Sequence, residues 1–354
     1  MKTGLFFCGI CVITITLPAI VSGHGAMLIP YNWFDHPQWV KMEHGYEYGF
    51  VGMKSQKQCV LGTDIPNDEV CREPKYCEHS GNPHKGDVCA WFTNYTFVEK
   101  PTLFRHDLRT YPHTAYEKML LHHPWRAPGS APVVSPCGAA GGNPNGCLGG
   151  PTCGNDQGGY SFGPKAEEFQ FKHDIHVTNW TRGDHVEVAW GIRANHGGGY
   201  SYRLCKMPKE GRKTLTEECF QQTPLRFIGD KHWVQFGEDR STRYEFPAVR
   251  TDKGTFPPGS QWTKNPIPAC NGILGGEMHP NPPCTNGTQF PPPGHNLEGF
   301  GLYIGDYTKY FPFSIIDLVE IPEDLEEGEY VLSFRWDCEQ TPQIWNTCAS
   351  VRLL

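Results

Sequence analysis

The stretch GEYVLSFRWDC, residues 328–338, carries the pattern that decides the fold. Tyr330, Leu332, Phe334 and Trp336 stand at every second position, and the residues between them are smaller or charged. Successive side chains of a β-strand point to opposite faces of the sheet. This alternation therefore predicts a strand with one face packed on a hydrophobic core.

Two other stretches alternate in the same way, EEFQFKHDIHV at 167–177 and DHVEVAWGI at 184–192. No segment carries an amphipathic pattern long enough for a major helix. Glycine and proline contribute 40 and 31 of the 354 residues, and they are concentrated in the connectors 127–165 and 252–300 and in much of 24–90. Short alternating segments between turn-rich connectors predict an all-β chain folded as an antiparallel β-sandwich with long loops.

The first 23 residues have the features of a secretory signal peptide. Lys2 supplies a positive charge, residues 5–20 are an uncharged apolar run, and Val21 and Gly23 are small enough for a cleavage site. A run of about 16 residues is shorter than the roughly 20 needed to cross a bilayer. The sequence predicts a secreted, extracellular protein without a membrane anchor, in which residues 24–354 form a single domain.

The cysteines and glycosylation motifs agree with export. Of 15 cysteines, Cys8 and Cys11 fall within the predicted signal, which leaves 13. An oxidising compartment would join most of them, so we expect the loops to be held by disulfides, with one cysteine left over. Acceptor motifs for N-glycosylation begin at Asn94, Asn179 and Asn286.

Cleavage after Gly23 would leave His24 as the first residue of the mature chain. An N-terminal histidine offers its α-amine and its imidazole Nδ1 to a single metal ion. A second histidine, His196, lies in GIRANHGGGYSYRLC at 191–205, before three glycines that leave room for a metal. Three nitrogens in a T-shaped arrangement favour copper. The alternatives are an ordinary exposed terminus and a flexible glycine turn.

Three segments together resemble the lytic polysaccharide monooxygenases, in particular the eukaryotic branch described as type-4 chitin-binding domains. They are HGAMLIPYNW at the predicted mature start, ANHGGGYSYRLC, and FRWDCEQTPQIWNTCASVRL near the end. The resemblance implies an immunoglobulin-like or fibronectin-III-like sandwich with one copper ion held by His24 and His196. It also implies oxidative cleavage of an insoluble polysaccharide, chitin or cellulose, with electrons from an external donor.

The family often has a Gln-x-Tyr motif before a C-terminal cysteine, and here the residues are Gln343, Ile344 and Trp345. Gln343 fits the motif, and the resemblance implies a catalytic role beside the copper. Trp345 departs from it, because an indole N–H is a donor only and cannot bind a metal as a phenol does. Trp345 would block an axial position or pack in the core, and Tyr200 or Tyr202 could stand in the axial place instead.

Aromatic residues that closely follow His24 are candidates for substrate contact. Tyr31 and Trp33 could stack on the apolar faces of sugar rings, or they could fill the core beneath the N-terminus. A polar neighbour of His196, Asn195, could assist near the metal. We expect the protein to act as a monomer.

Rival functions remain open on the sequence alone. One is a non-catalytic chitin-binding protein of an extracellular matrix, and another is copper binding or transport without a polysaccharide. Glycoside hydrolysis needs two carboxylates, but Glu167 with Glu168 and Glu217 with Glu218 lie in polar runs that we expect to be solvated. A net charge of −7 and a pI near 6.1 give no indication of a nucleic acid or membrane partner.

Overall fold

A computed structural model gives the fold of the chain. It describes residues 25–33, 125, 128–130, 133, 135–138, 166–168, 170–171, 174–192, 195–236, 239–270, 284, 287–294, 297–299, 313–339 and 344–354.

Thirteen strands follow one another along the described chain. In order they are β1 Gly25–Ile29, β2 Val177–Trp180, β3 His185–Ile192, β4 Gly199–Lys206, β5 Thr223–Pro224, β6 Arg226–Phe227, β7 Lys231–Gln235, β8 Tyr244–Pro247, β9 Arg250–Thr251, β10 Trp262–Lys264, β11 Ser314–Glu320, β12 Gly328–Asp337 and β13 Ile344–Leu353. The helices of the described residues are the short α1, Glu217–Gln221, and two 3₁₀ turns, Arg212–Thr214 and Arg240–Thr242. None of these helices is long and apolar enough to cross a membrane.

The strands form two sheets. The first has the order β1-β3-β11-β7-β8 with β6 beside β11, and the second has the order β2-β13-β12-β4-β10-β9 with β5 beside β4. Aromatic rings from both sheets meet between them, for example Trp190 of β3 and Trp336 of β12, whose ring centroids are 5.3 Å apart. The predicted all-β sandwich is confirmed. One pairing departs from the antiparallel prediction, because β2 runs parallel to β13.

The two clearest sequence patterns became strands where they were expected. β12 covers ten residues of the 328–338 stretch, and its alternate residues Tyr330, Leu332, Phe334 and Trp336 all lie in the main core. β3 covers 185–192. Each large side chain buried in this way stabilises the fold by roughly 1.5–3 kcal/mol.

The third predicted strand, at 167–177, is wrong over most of its length. Residues 166–168 form a turn, and β2 begins only at Val177. Loop contacts hold the polar groups of this segment. The Glu167 carboxylate accepts a 2.6 Å hydrogen bond from the Ser135 hydroxyl, and the backbone carbonyl of Glu167 accepts one from the Arg212 guanidinium. In this segment, side-chain and loop contacts take the place of the expected hydrogen bonds between strands.

The second face of β12 is also buried, which the alternation alone does not predict. Ser333, Arg335 and Asp337 are each at most 1% exposed. Ser333 donates a 2.7 Å hydrogen bond to the carbonyl of Pro136, and Arg335 pairs with Glu217 of α1 at 2.9 Å. Loops and α1 cover the outer face of the second sheet, and ion pairs and hydrogen bonds satisfy its polar groups.

Disulfides tie the loops to the sheets, as expected. In the described residues the pairs are Cys137–Cys348, Cys205–Cys219 and Cys270–Cys284. The first joins the 135–138 loop to β13 across a sequence separation of 211 residues. β1 is fixed to the second sheet as well, because the Met27 amide donates a 2.9 Å hydrogen bond to the Thr347 hydroxyl.

Candidate metal centre at the His196 loop

His196 lies in a buried loop, residues 195–198, that leads from β3 into β4, and it is 3% exposed. Its carbonyl oxygen accepts a 3.1 Å hydrogen bond from the amide of Glu339. The Asn195 side chain donates to the carbonyl of Ile267 at 2.9 Å and accepts from the amide of Gly197 at 3.0 Å. These bonds hold the loop in place. They also commit the Asn195 amide to the loop, so the structure gives Asn195 a supporting role instead of the assisting one suggested from sequence.

The three glycines after His196 are needed for close packing of backbone. Gly197 and Gly198 have φ angles of +65° and +81°, which residues with a side chain rarely adopt. A Cβ atom on Gly198 would lie 2.0 Å from the carbonyl oxygen of Asp337, and one on Gly199 would lie 2.0 Å from the Trp125 ring. The HGGG segment is therefore a tightly packed loop, and the alternative of a flexible turn does not describe it.

Trp336 is the residue around which the candidate site is built. Its ring is stacked with that of His196, with centroids 6.5 Å apart and planes 23° apart. Its Nε1–H donates to the carbonyl of Gly197 at 2.8 Å. Gly25 packs on the same indole so closely that a Cβ there would lie 2.8 Å from Trp336 Cε3. Trp336 thus joins the start of β1, which directly follows His24, to the loop that carries His196.

Two of the predicted site residues, His24 and Gln343, lie outside the described residues. The roles given to them as copper ligand and catalytic residue stay predictions. Among the described residues no group of three or more His, Cys, Asp or Glu side chains could hold a metal ion.

Trp345 is 2% exposed and belongs to the main core. It pairs directly with Trp336 across β12 and β13, so the two indoles share one face of the sheet. Its burial agrees with the alternative of a core aromatic, and its place opposite Trp336 keeps it beside the candidate site.

The two tyrosines proposed as axial substitutes lie inside the sandwich, and the axial role stays a prediction. Tyr200 and Tyr202 are both fully buried in the main core. The hydroxyl of Tyr200 donates a 2.6 Å hydrogen bond to Asp317 of β11, in the interior.

The structure corrects the substrate-contact prediction for Trp33. This residue is 1% exposed, its amide donates to the carbonyl of Cys348 at 2.8 Å, and its indole donates to Ser350 at 3.0 Å. Trp33 fills the core beneath the N-terminal segment, where it belongs to the same hydrophobic cluster as the Cys137–Cys348 disulfide. Tyr31 is half-buried and meets His176 edge-on at 5.6 Å.

In each carboxylate pair considered for hydrolysis, the two members have different environments. Glu167 and Glu217 are not solvated as expected, since each is bonded to a neighbouring loop or strand, whereas Glu168 and Glu218 are exposed. Burial opposes ionisation of Glu217, but Arg203 and Arg335 outweigh it and lower the pKa of this carboxyl. These contacts give both buried carboxylates structural roles.

A buried polar group beside the loop was missed by sequence reasoning. Glu339 Oε2 accepts a 3.2 Å hydrogen bond from Gln289 Nε2, and it would lie 3.0 Å from a Cβ on Gly197. Lys264, 3% exposed, lies with its ammonium 4.5 Å from the Phe290 ring centroid. Burial lowers the pKa of Lys264 to about 8, and Glu339 opposes that shift. The sequence feature that could have pointed to Glu339 and Trp336 is their place in the FRWDCE segment.

Of the three glycosylation motifs, only Asn179 lies within the described residues. It is exposed on β2, which ends the second sheet, so its side chain is accessible to solvent. Asn94 and Asn286 lie outside the described residues.

No protein-family model matches the chain. Similar curated proteins are the lytic polysaccharide monooxygenase aasB of Emericella nidulans, 26% identical over 188 residues, and the AA13 family lytic polysaccharide monooxygenase A of Pyricularia oryzae, 24% identical over 192 residues. The matches cover 49% and 50% of this chain, and the chain spans 48% and 42% of those relatives.

A solved structure of an AA15 lytic polysaccharide monooxygenase from Thermobia domestica, in the Cu(I) state, is 14% identical. It covers 51% of this chain and 63% of its own, with a TM-score of 0.25. Similarity this low adds nothing to the fold seen directly. The curated relatives confirm that this chain is similar to the lytic polysaccharide monooxygenase superfamily, as its own sequence predicts.

Proposed function

We propose that the chain is a secreted, copper-dependent enzyme that cleaves an insoluble polysaccharide by oxidation, with chitin ahead of cellulose as the substrate. Curated relatives named as lytic polysaccharide monooxygenases support the reaction class. The observation that carries the proposal is the meeting of Gly25 and the His196 loop on Trp336. This packing brings the residue after His24 and the second candidate ligand to one buried indole.

The donor chemistry of this chain fits copper. His24 would contribute its α-amine and imidazole nitrogen, and His196 a second imidazole, which is an all-nitrogen set of the kind that copper(II) prefers. When bound, copper would supply oxidation of a sugar carbon with an oxygen co-substrate, using electrons from an external donor. Asn195, Glu339 and Trp336 hold the backbone of the His196 loop, and the Trp336 indole lies stacked beside the His196 ring.

The same proposal assigns roles to the residues around the site and to the rest of the chain. Gln343 would place a hydrogen-bonding amide near the copper, and Trp345, beside Trp336, would close one side without binding the metal. Residues 1–23 would be removed during export. The mature chain would be a monomeric single domain with glycans at Asn94, Asn179 and Asn286.

A non-catalytic chitin-binding matrix protein is the second candidate, and Trp345 is the observation that favours it. An indole in place of a phenol changes the set of groups that can reach the metal. The assay that separates the two is the release of oxidised oligosaccharides from chitin, with cellulose as the parallel substrate. Retention on chitin without oxidised products would select the matrix protein.

Calorimetry of copper(II) binding tests the metal site. The protein that starts at His24 is compared with a version carrying one extra N-terminal glycine, which removes the amine–imidazole chelate and leaves the fold intact. We expect a dissociation constant of nanomolar order or tighter, which corresponds to about 12 kcal/mol, and a large loss in the extended version. Equal, weak binding in both would contradict the copper enzyme.

A further inference from the structure

A cleft opens at one edge of the sandwich, where the first sheet ends at β8 and the second ends at β10 and β9. Phe246 and Pro247 of β8 line it from the first sheet, and Lys264 of β10 lines it from the second. Phe290 and two of the prolines that follow it complete the lining. The empty space, counted out to the open mouth, is about 480 Å³, which leaves room for a small molecule.

The lining of this cleft carries a single formal charge, and that charge is positive. Its polar side chains are His232, Lys264 and Asn265, and none of the described residues that line it is an Asp or Glu. Burial, with Arg250 nearby, lowers the pKa of His232 to about 3, so the imidazole is neutral at neutral pH. Ligand pockets are mostly apolar with a few polar groups that fix the ligand. One ammonium among rings and prolines favours a small anion with an apolar body.

The Lys264 ammonium lacks the hydrogen bonds that a buried cation requires. The residue is 3% exposed, and its Nζ makes no hydrogen bond to any described residue. Glu339 acts on it electrostatically without accepting a hydrogen bond from it. The contact that the ammonium does make is with the Phe290 ring, whose centroid lies 4.5 Å away. A ring face attracts a cation less strongly than a hydrogen bond to a charged acceptor does, so a carboxylate would be a better partner.

The apolar part of the lining suits a flat ligand. Phe246 is buried, whereas Phe290 and Pro291 are partly or fully exposed, so apolar surface extends from the interior to the mouth of the cleft. Phenyl and proline rings present flat faces that pack well against a planar apolar group. The flexible side chain of Lys264 can turn its ammonium from the Phe290 ring toward the cleft. A planar acid could then pack on the rings while its carboxylate binds Nζ.

We propose that the cleft between β8 and β10 binds a small carboxylic acid with a flat apolar body, whose carboxylate pairs with the Lys264 ammonium. This inference goes beyond the proposed function, because His196 is not among the residues that line the cleft. The two sites are neighbours, since the Asn265 amide donates to the carbonyl of Gly198 at 2.8 Å and the Asn265 side chain donates to Asn195 at 2.8 Å. Binding of the acid does not require a metal.

Calorimetry on the full mature chain without metal tests the proposal, with benzoate as the probe. Benzamide keeps the ring and removes the charge, acetate keeps the carboxylate and removes the ring, and gluconate replaces the ring with hydroxyl groups. We expect saturable binding of one benzoate and at least tenfold weaker binding of each of the other three. Benzamide bound as tightly as benzoate would overturn the role of the charge. Acetate or gluconate bound as tightly would overturn the role of the apolar walls.

A matched pair of lysine variants places the binding in the cleft. Lys264→Met keeps a long unbranched side chain and removes the ammonium, and Lys253→Met does the same at an exposed lysine just after β9. We expect benzoate to bind at least tenfold more weakly to Lys264→Met and unchanged to Lys253→Met. Unchanged affinity in Lys264→Met would overturn the proposal. If that variant does not fold, the comparison of benzoate with benzamide on the wild-type protein still decides.

Nuclear magnetic resonance of protein labelled with ¹³C at the lysine Cε observes the contact directly. The Lys264 signal is identified by its absence from Lys264→Met. We expect it to shift on addition of benzoate and to stay in place with benzamide. A cleft that holds water only would give no shift and no benzoate heat, and this result would overturn the proposal. Failure of copper to bind would contradict the proposed function alone, since these measurements use the metal-free protein.

Discussion

The indole of Trp336 donates its Nε1–H to the carbonyl oxygen of Gly197 over 2.8 Å, and both groups are buried. This bond joins the end of β12 to the loop that carries His196. The partners are 139 residues apart in sequence, so only the folded sandwich brings them together. This hydrogen bond therefore ties the loop of the candidate site to a core residue that is not itself a candidate metal ligand.

Trp336→Phe should loosen the His196 loop while keeping most of the ring volume. The Gly197 carbonyl would lose its donor, and an unsatisfied buried acceptor costs about 1–3 kcal/mol. We expect a lower free energy of unfolding in urea together with weaker copper(II) binding by calorimetry. Trp180→Phe, in the same core but on the edge strand β2, is the control. A variant that loses stability to the same extent as the control and binds copper as wild type does would contradict the role of Trp336.

Gly25→Ala tests the approach of the N-terminal strand to the same indole. The new methyl group would lie 2.8 Å and 2.9 Å from two ring carbons of Trp336, which is closer than van der Waals contact. Overpacking of this kind costs about 1–3 kcal/mol, and it should push β1 away from Trp336. Thermal unfolding and copper(II) calorimetry would measure both effects.

The control for Gly25→Ala is Ile29→Ala, at the exposed end of the same strand, where the side chain is 39% exposed. Copper binding should survive that change. Unaltered copper binding in Gly25→Ala would show that the start of β1 does not position the site.

Glu217→Gln should be far more destabilising than Glu218→Gln. Glu217 is paired with Arg203 and Arg335, whose side chains are 4% and 1% exposed, and its removal would leave two buried cations without their shared partner. Breaking such a group costs roughly 3–5 kcal/mol. Glu218 is exposed on the same short helix, and we expect a change within about 0.5 kcal/mol. Equal midpoints of urea unfolding for the two variants would contradict the structural role of Glu217.

The buried histidine of the core should make stability depend on pH. Burial, with Arg250 nearby, lowers the pKa of His232 to about 3 from an ordinary value of 6.5. The unfolded chain takes up this proton below pH 6.5, whereas the folded chain does so only near pH 3, so stability is present above pH 6.5 and is lost as the pH falls toward 3. The slope from this group is at most about 1.4 kcal/mol per pH unit.

Asp317, which faces His232 together with Arg250 and Tyr200, acts in the opposite direction. Burial raises its pKa to about 6, so the folded chain gains stability as the pH falls from about 6 toward the ordinary value of 3.8. The measurement is therefore the difference in unfolding free energy between wild type and His232→Gln from pH 7 to pH 3. We expect the advantage of wild type to shrink with acid, while His185→Gln, at an exposed histidine of β3, follows wild type. A constant difference would refute the assignment.

Local sequence patterns were enough to predict the sandwich and to single out His196 as a candidate metal ligand. The alternation in 328–338 and 184–192 marked β12 and β3, because the two faces of a strand follow directly from the geometry of neighbouring residues. The histidine and glycines of 196–199 also lie together in the sequence. The number of cysteines predicted disulfides. None of these inferences needed knowledge of which distant segment would lie alongside.

Only the tertiary structure decided the contacts between distant segments. The amide of Met27 bonds to Thr347, 320 residues away, and this region holds Trp33 in the core instead of on a substrate surface. The outer face of β12 is buried by α1 and the 135–138 loop, and β2 runs parallel to β13. Burial of a side chain and the direction of a neighbouring strand depend on which surfaces pack together. That pairing is a property of the whole chain, so no stretch read alone could show that Trp336 lies between Gly25 and His196.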